Sequence, residues 1–468
     1  MYAALLNNPR DFPQHFEVKA IPRPRCGKND ILIKVAVCAV CGTDVKKYFK
    51  GHQLIKSYPI IPGHELAGTI VEVGSQVRKF KVDTGLEVEK RHYREGDRVV
   101  VAPVIACEKC QSCKDHRPEA CEKREDIGFN YHGGFAEYML VPETILKKRI
   151  PAIYFIPDNV PFWAAALAEP WACAIHAQKK VFRYGPWIKT KSEYSAIKGI
   201  HPGDVVVVIG GGPLGCMHAE LAKISGAKMV VIAQRSAYKL KLAQTMKVAD
   251  YYLDDSKEGI LEEQVLNLTR GRKADVLITA CSTAKAQRQA LSIVKKGGFI
   301  SLFGGIPDTL VQIPTNEIHY NGPLIGGTSG ALPYHLGVAL NLMAEGKIDS
   351  LKYITHLLDL ESLEKILLIK GLPRKDVPGF ISLEESVNTI QRKKSQDFFD
   401  FLRENEYGID QSLDIFLQVR RFKDSILKAL VAPSLLGVGV VSFTHLTNLE
   451  KREKLEELVP EDSSHSLT

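Results

Sequence analysis

Short apolar runs separated by Gly, Pro and Asp turns fill residues 1 to about 160, with 31–37 and 68–73 as representative examples. Runs of that length bounded by turn formers predict short strands in a small, irregular β domain. From about residue 200 the rhythm changes. The runs 204–209, 274–279 and 299–303 are mainly apolar on both faces and alternate with stretches of helical period. Strands apolar on both faces, alternating with helices, predict a parallel sheet covered by helices.

Beyond about residue 360 the pattern turns helical. Ser412 could cap an amphipathic helix that carries Leu413, Phe416, Leu417, Phe422, Ile426 and Leu430 on or near one face. The run 429–443 that follows is nearly all apolar, but Pro433, Gly437 and Gly439 interrupt it. Fifteen residues are too few for a membrane span, so the run predicts a buried segment or a partner surface. No strands that would close the N-terminal domain are legible after Leu360. The charged stretch 83–94 and the Lys-containing stretch 183–196 read as insertions, the last eight residues read as disordered, and no internal repeat is present.

At 468 residues the chain can hold two or three domains with full cores. Its 45% hydrophobic and 25% charged content is that of a soluble globular protein. The N-terminus lacks a basic segment followed by an apolar one, which predicts no targeting peptide and a cytoplasmic location. The formal charge of +8 divides unevenly, with −5 on residues 395–468 and +13 on the rest. A basic body suits an anionic cofactor, but Lys and Arg are not concentrated in a stripe with aromatics, so no nucleic-acid partner is expected.

Candidate chemistry is densest at Cys107, Cys110, Cys113 and Cys121, four cysteines within fifteen residues. A tetrahedral zinc ion is satisfied by four thiolates, which a short turning loop can supply when cysteines recur every third residue. Lys109, Lys114 and Arg117 can offset the negative charge, and Pro118 helps turn the chain. The alternative is four free or disulfide-bonded cysteines, in a chain with no other sign of an oxidising compartment. A closed four-thiolate site has no position for substrate and is structural. Cys38, Cys173, Cys216 and Cys281 fall in strand or helix patterns and read as core thiols.

The segment from Val205 through Gly210, Gly212, Pro213, Leu214 and Gly215 places a G-x-G-x-x-G motif directly after an apolar strand and before a helix. The first glycine allows a tight turn, the second lets backbone approach a pyrophosphate, and the third packs helix on strand. At the end of the next strand an Asp or Glu would select NAD. Here stand Gln234 and Arg235, and a guanidinium fork beside the ribose favours NADP over NAD. A surface arginine with no cofactor role is the alternative.

A second set of ligand types lies upstream of the cysteine cluster. Cys41 and His64 could supply two ligands of a catalytic zinc, with Glu65 or Glu169 completing the set directly or through water and one position left open.

In chain order stand Cys41-Gly42-Thr43-Asp44, Pro62-Gly63-His64-Glu65, Gly96-Asp97-Arg98-Val99, the four-cysteine loop, Gly133-Gly134-Phe135-Ala136-Glu137-Tyr138, Glu169-Pro170 and the glycine motif. In these the chain resembles the zinc-dependent medium-chain dehydrogenases, in particular their sorbitol (polyol) dehydrogenase branch. Threonine dehydrogenase and sugar-alcohol-phosphate dehydrogenases belong to that branch. The resemblance covers about residues 1–360. It implies a GroES-like catalytic domain, a Rossmann domain and an active site in the cleft between them.

The implied division is 1–165 catalytic, 166–330 nucleotide-binding, 331–395 a return to the catalytic domain, and 396–468 a helical extension. The implied activity is hydride transfer between a secondary alcohol or polyol and NAD(P), with one catalytic and one structural Zn2+. A threonine-type or sugar-phosphate substrate is the alternative within the branch, and a non-catalytic zinc and nucleotide-binding protein the alternative outside it. Thr43 resembles the family's proton-relaying hydroxyl, Asp44 organises the loop, and Glu169 binds zinc or its water. The family often has His five positions after the ligand Cys, where this chain has Lys46, so the outer proton path departs from the pattern. A homo-oligomer, dimer or tetramer, is the expected assembly.

Overall fold

The run predicted at 31–37 is the strand Ile31–Ala39, in which all residues but Lys34 and Ala36 are buried. It is an inner strand of a large, mainly antiparallel sheet, paired on both edges, and its buried residues fall on both faces. In the computed structural model this sheet runs Val440–Ser442, Ile354–Leu358, Lys428–Val431, Ile31–Ala39, Glu65–Val73, Arg98–Val101 and Ile153–Phe155, with Tyr138–Val141 also paired to Ile31–Ala39. The structure describes residues 1–11, 15–77, 92–371 except 116, 189, 192, 258 and 307–309, and 428–461 except 436, 437, 444 and 445.

Among these residues the chain forms two compact units, one built from residues 1–172 with the described residues from 331 onward, the other from Cys173–Gly330. The first unit has a large apolar core. Ile33, Val35, Ile70, Val99, Phe135 and Val431 belong to it, and each is almost fully buried.

The C-terminal segment departs from the helical expectation. Leu430, placed on a helix face by its spacing, lies instead in the strand Lys428–Val431, whose residues are all buried. That strand pairs in parallel with Ile354–Leu358 and antiparallel with Ile31–Ala39. With neighbours on both edges and its residues buried, the apolar run of Ala429, Leu430 and Val431 gains more in a central strand than as the last turn of a helix, and Lys428 at its start is matched by Glu65. Part of the apolar run 429–443 is therefore buried sheet, and the strands that close this domain are Ile354–Leu358, Lys428–Val431 and Val440–Ser442. The helix Asn448–Leu458 follows, started by a capping box in which the Thr447 hydroxyl accepts from Glu450 N and the Glu450 carboxylate accepts from Thr447 N. Most of the stretch expected to form a helix after Ser412, most of the 83–94 insertion and all but one of the last eight residues lie outside the described residues.

The second unit holds six parallel strands in the order Tyr251–Asp254, Met229–Gln234, Val205–Ile209, Ala274–Thr279, Val294–Leu302 and Leu324–Gly327. Every residue of Val205–Ile209 and Ala274–Thr279 is buried, as mainly apolar runs predict, and Asp275 is buried with them. Strand order reverses at Val205–Ile209, the kind of switch point where a crevice opens at the carboxyl ends of the strands. The stretch 183–196 forms a hairpin, Phe182–Ile188 against Glu193–Lys198. Its buried Arg183 donates to both Asp204 oxygens, at 2.8 and 2.6 Å, which ties the hairpin to the residue preceding the central strand.

Candidate active site

The helix Gly42–Lys50 begins at Cys41, whose backbone N–H donates to Asp44 Oδ2 at 2.9 Å. A carboxylate three residues into a helix satisfies an orphan amide and complements the positive end of the helix dipole, so C-G-T-D turns the chain into the helix with the thiol at its mouth. His64 enters from the other side. It follows Gly63 (φ +92°), where a Cβ would stand 2.8 Å from Cys38 Sγ and 2.9 Å from Phe135 N, so only glycine fits between strand and loop. Glu65 then opens the strand Glu65–Val73, paired with Ala39.

These elements bring ligand atoms of Cys41, His64 and Glu65 within 4.8 Å of one another. Thiolate, imidazole and carboxylate at that spacing fit a zinc ion, whose bonds to them are about 2.0–2.3 Å. Glu169, in the helix Ala168–Lys179, is buried but lies outside that set. Thr43 is half-buried in the first turn of the helix and Lys46 is exposed.

Two buried ammonium groups, neither foreseen from the pattern, frame this set. Lys428 reaches both Glu65 oxygens at 2.5 Å across the intervening strand Ile31–Ala39. Burial works against its charge, yet Glu65, Cys41 and Glu169 together hold its pKa above the usual lysine value. Lys47, fully buried, lies 2.7 Å from Asp44 Oδ1, donates to the Gly128 carbonyl at 3.1 Å and stands 4.1 Å over the Phe129 ring. Burial disfavours ionised Asp44, but Lys47 and His64 outweigh it and hold the carboxyl well below the usual range. Asp44 Oδ1 is also 3.5 Å from His64 Nδ1. Against the cost of burial, Asp44 and Cys41 raise the His64 pKa well above its ordinary value.

The sequence signal for Lys47 was its helical phase, because Asp44, Val45, Lys47 and Tyr48 are the buried residues of that helix. Lys428 had no local signal at all.

The four-cysteine loop gathers its thiols around one point. Sulfur–sulfur distances are 4.0 Å for Cys107–Cys113, 3.5 Å for Cys110–Cys113 and 3.9 Å for Cys110–Cys121. Four thiolates at zinc–sulfur bonds of about 2.3 Å stand roughly 3.8 Å apart in a tetrahedron, so the loop fits a closed zinc site. All four cysteines are free, and these separations far exceed a disulfide bond of about 2 Å. Backbone N–H groups of Lys109 and Cys110 hold the Cys107 thiol down to about 6, while burial and its thiol neighbours push Cys113 up to about 12. The loop's backbone amides thus favour the thiolate form at Cys107, the form a metal ligand takes.

In the second unit the strand Val205–Ile209 runs into the glycine turn and the helix Pro213–Ile224, with Gly212 at the N-cap and Pro213 at its first position. Gly210 has φ +117°, and a Cβ on Gly215 would lie 1.7 Å from the Gly210 carbonyl oxygen. A Cβ on Gly212 would meet nothing within 4 Å, the open approach a pyrophosphate needs. Gln234 ends the second strand and its Oε1 accepts from Ser236 N at 3.2 Å, while Arg235 beside it is half-buried.

Residues 27–152 match the family model of the alcohol dehydrogenase GroES-like domain and residues 213–345 that of the zinc-binding dehydrogenases. The chain belongs to the zinc-dependent medium-chain dehydrogenases. It is an oxidoreductase that transfers hydride between an alcohol or polyol and NAD(P). Among its relatives this dehydrogenase is 32% identical over 341 residues to L-galactonate-5-dehydrogenase of Escherichia coli K12, covering 72% of this chain and 86% of the relative. It is 30% identical to D-arabinitol dehydrogenase 1 of Uromyces fabae, covering 76% and 90%. A structure of a zinc-binding dehydrogenase from Sinorhizobium meliloti 1021 bound to NADP superposes with a TM-score of 0.65 at 26% identity, covering 78% of this chain and 94% of that one. No described helix of the dehydrogenase is long and apolar enough to cross a membrane.

Proposed function

We propose that this dehydrogenase acts on a secondary hydroxyl of a polyol or sugar acid at the centre formed by Cys41, His64 and Glu65, with NADP as the preferred cofactor. The observation that carries the reading is the convergence of those three ligand types within 4.8 Å at the mouth of one helix. A zinc ion there supplies Lewis acidity toward an alcohol oxygen, and a nicotinamide accepts the hydride. Cys41 and His64 hold the metal. Glu65 completes the set when it leaves Lys428, and Glu169 positions water or completes the set in its place. Thr43, two residues from Cys41 in the first turn of the helix, takes the hydroxyl proton. Exposed Lys46, where the family often has His, gives the proton its exit. Cys107, Cys110, Cys113 and Cys121 hold a structural zinc.

Gly210, Gly212, Pro213, Leu214 and Gly215 bind the pyrophosphate, and Gln234 with Arg235 select the 2′-phosphate. Lack of an acid at the strand end supports NADP, since an Asp or Glu there would repel the phosphate. The polyol preference draws on relatives named for galactonate and arabinitol. We also read the enzyme as a cytoplasmic homo-oligomer.

A screen of polyols, sugar acids, secondary alcohols, sugar phosphates and threonine with both cofactors, read by nicotinamide absorbance, tests the reading. Turnover of a polyol or sugar acid with NADP is expected. Exclusive turnover of threonine or a phosphorylated sugar would replace the substrate class, and turnover unchanged in Cys41→Ser would overturn the centre.

A further inference from the structure

We propose that Lys47 is a positioning residue of the Cys41–His64 centre, acting through Asp44: its ammonium fixes one carboxylate so that a single side chain holds both ligands. The proposal rests on the reading of Cys41, His64 and Glu65 as a metal centre.

The geometry is specific. Asp44 Oδ2 accepts from the Cys41 backbone N–H at 2.9 Å, and Oδ1 lies 3.5 Å from His64 Nδ1 and 2.7 Å from Lys47 Nζ. Nδ1 meets Asp44 in an ion-pair contact longer than a made hydrogen bond, which leaves Nε2 of His64 for a metal. The lysine is itself held by the Gly128 carbonyl at 3.1 Å and by the Phe129 ring at 4.1 Å, and its side chain is wholly buried. Phe129 in turn stands 5.8 Å from the His64 ring. Lys47 therefore links the three segments that carry Cys41, His64 and Gly128-Phe129.

The physical reason for a cation here is that Asp44 is almost fully buried. A buried carboxylate without a counter-charge leaves such a geometry, because the cost of an unpaired charge exceeds what its hydrogen bonds return. Once it turns, the Cys41 amide and the His64 ring lose their fixed partner together. Partners of metal ligands set ligand orientation, and their loss weakens metal binding by about 10–100-fold.

The test uses the full chain, stripped of metal and titrated with Co2+, reading stoichiometry, affinity by chelator competition, and the d–d and thiolate-to-cobalt bands. Wild type is expected to take two Co2+ per chain and Cys41→Ser one; two in Cys41→Ser would sink the metal-centre reading itself. Given that pattern, Lys47→Met is expected to weaken the Cys41 site by about 10–100-fold with altered d–d bands, leaving the four-cysteine site as in wild type. Affinity at the Cys41 site equal to or tighter than wild type, or equal weakening at both sites, overturns the proposal. If Lys47→Met does not fold, the neutral pair Asp44→Asn/Lys47→Met retains the volume without the charges. The same selective weakening is expected there, and wild-type affinity refutes the positioning role.

Discussion

Replacing Lys428 by Met removes one partner of an ion pair in which both side chains are at most 5% exposed. The methionine fills nearly the same space, so the change isolates charge. Glu65 is then left as a buried carboxylate without its cation. Breaking a buried pair from one side costs about 3–5 kcal/mol. At about 2 °C per kcal/mol for a unit this large, the midpoint should fall by roughly 6–10 °C. Zinc on Glu65 would offset part of this, so the loss should be largest in metal-stripped protein. Thermal unfolding of Lys428→Met, Glu65→Gln and the double variant, with and without Zn2+, measures the coupling. The double variant should recover most of the loss, because a neutral buried pair carries little desolvation cost. A Lys428→Met midpoint within 1 °C of wild type in stripped protein would refute the reasoning, since about 0.5 kcal/mol is the scale of a surface pair.

Deleting residues 396–468 removes the strand Lys428–Val431 from between Ile354–Leu358 and Ile31–Ala39 and should give insoluble protein; soluble, active protein would show that this strand is dispensable. Gly215→Ala places a methyl 1.7 Å from the Gly210 carbonyl oxygen and should abolish NADP binding by fluorescence titration while the stoichiometry of zinc stays unchanged. Cys110→Ser should lower zinc content by one per chain and reduce the unfolding midpoint, as elemental analysis and calorimetry would register. Burial pushes the pKa of His218 from 6.5 down to about 3. The folded value is depressed, so below pH 6.5 the unfolded chain binds a proton that the native chain does not. Stability should therefore fall as pH drops from about 6.5 toward 3, by several kcal/mol at most, and His218→Leu should flatten that slope in denaturant titrations.

Legibility followed range. The four cysteines lie within fifteen residues and the glycine turn within six, so each site is written in consecutive residues and could be read without the fold. Cys41, His64 and Glu65 were legible as ligand types, and the pairing of Glu65 with Ala39 joins two strands close in sequence. The C-terminal strand was not legible. A lysine followed by three apolar residues suits a strand or a helix equally well, and only pairing at both edges decides between them.

By itself the sequence determined the two-part α/β architecture, the strand–glycine–helix turn and the kinds of atoms available to a metal. These depend on periodicity and on neighbours along the chain. Tertiary structure decided the charges around the ligands: that the helix face carrying the neighbours Asp44 and Lys47 is buried while Lys46 is exposed, and that Lys428 crosses 363 residues to meet Glu65. A lysine reads as solvated wherever it occurs in a sequence, because its burial becomes tolerable only when the fold delivers a carboxylate to it.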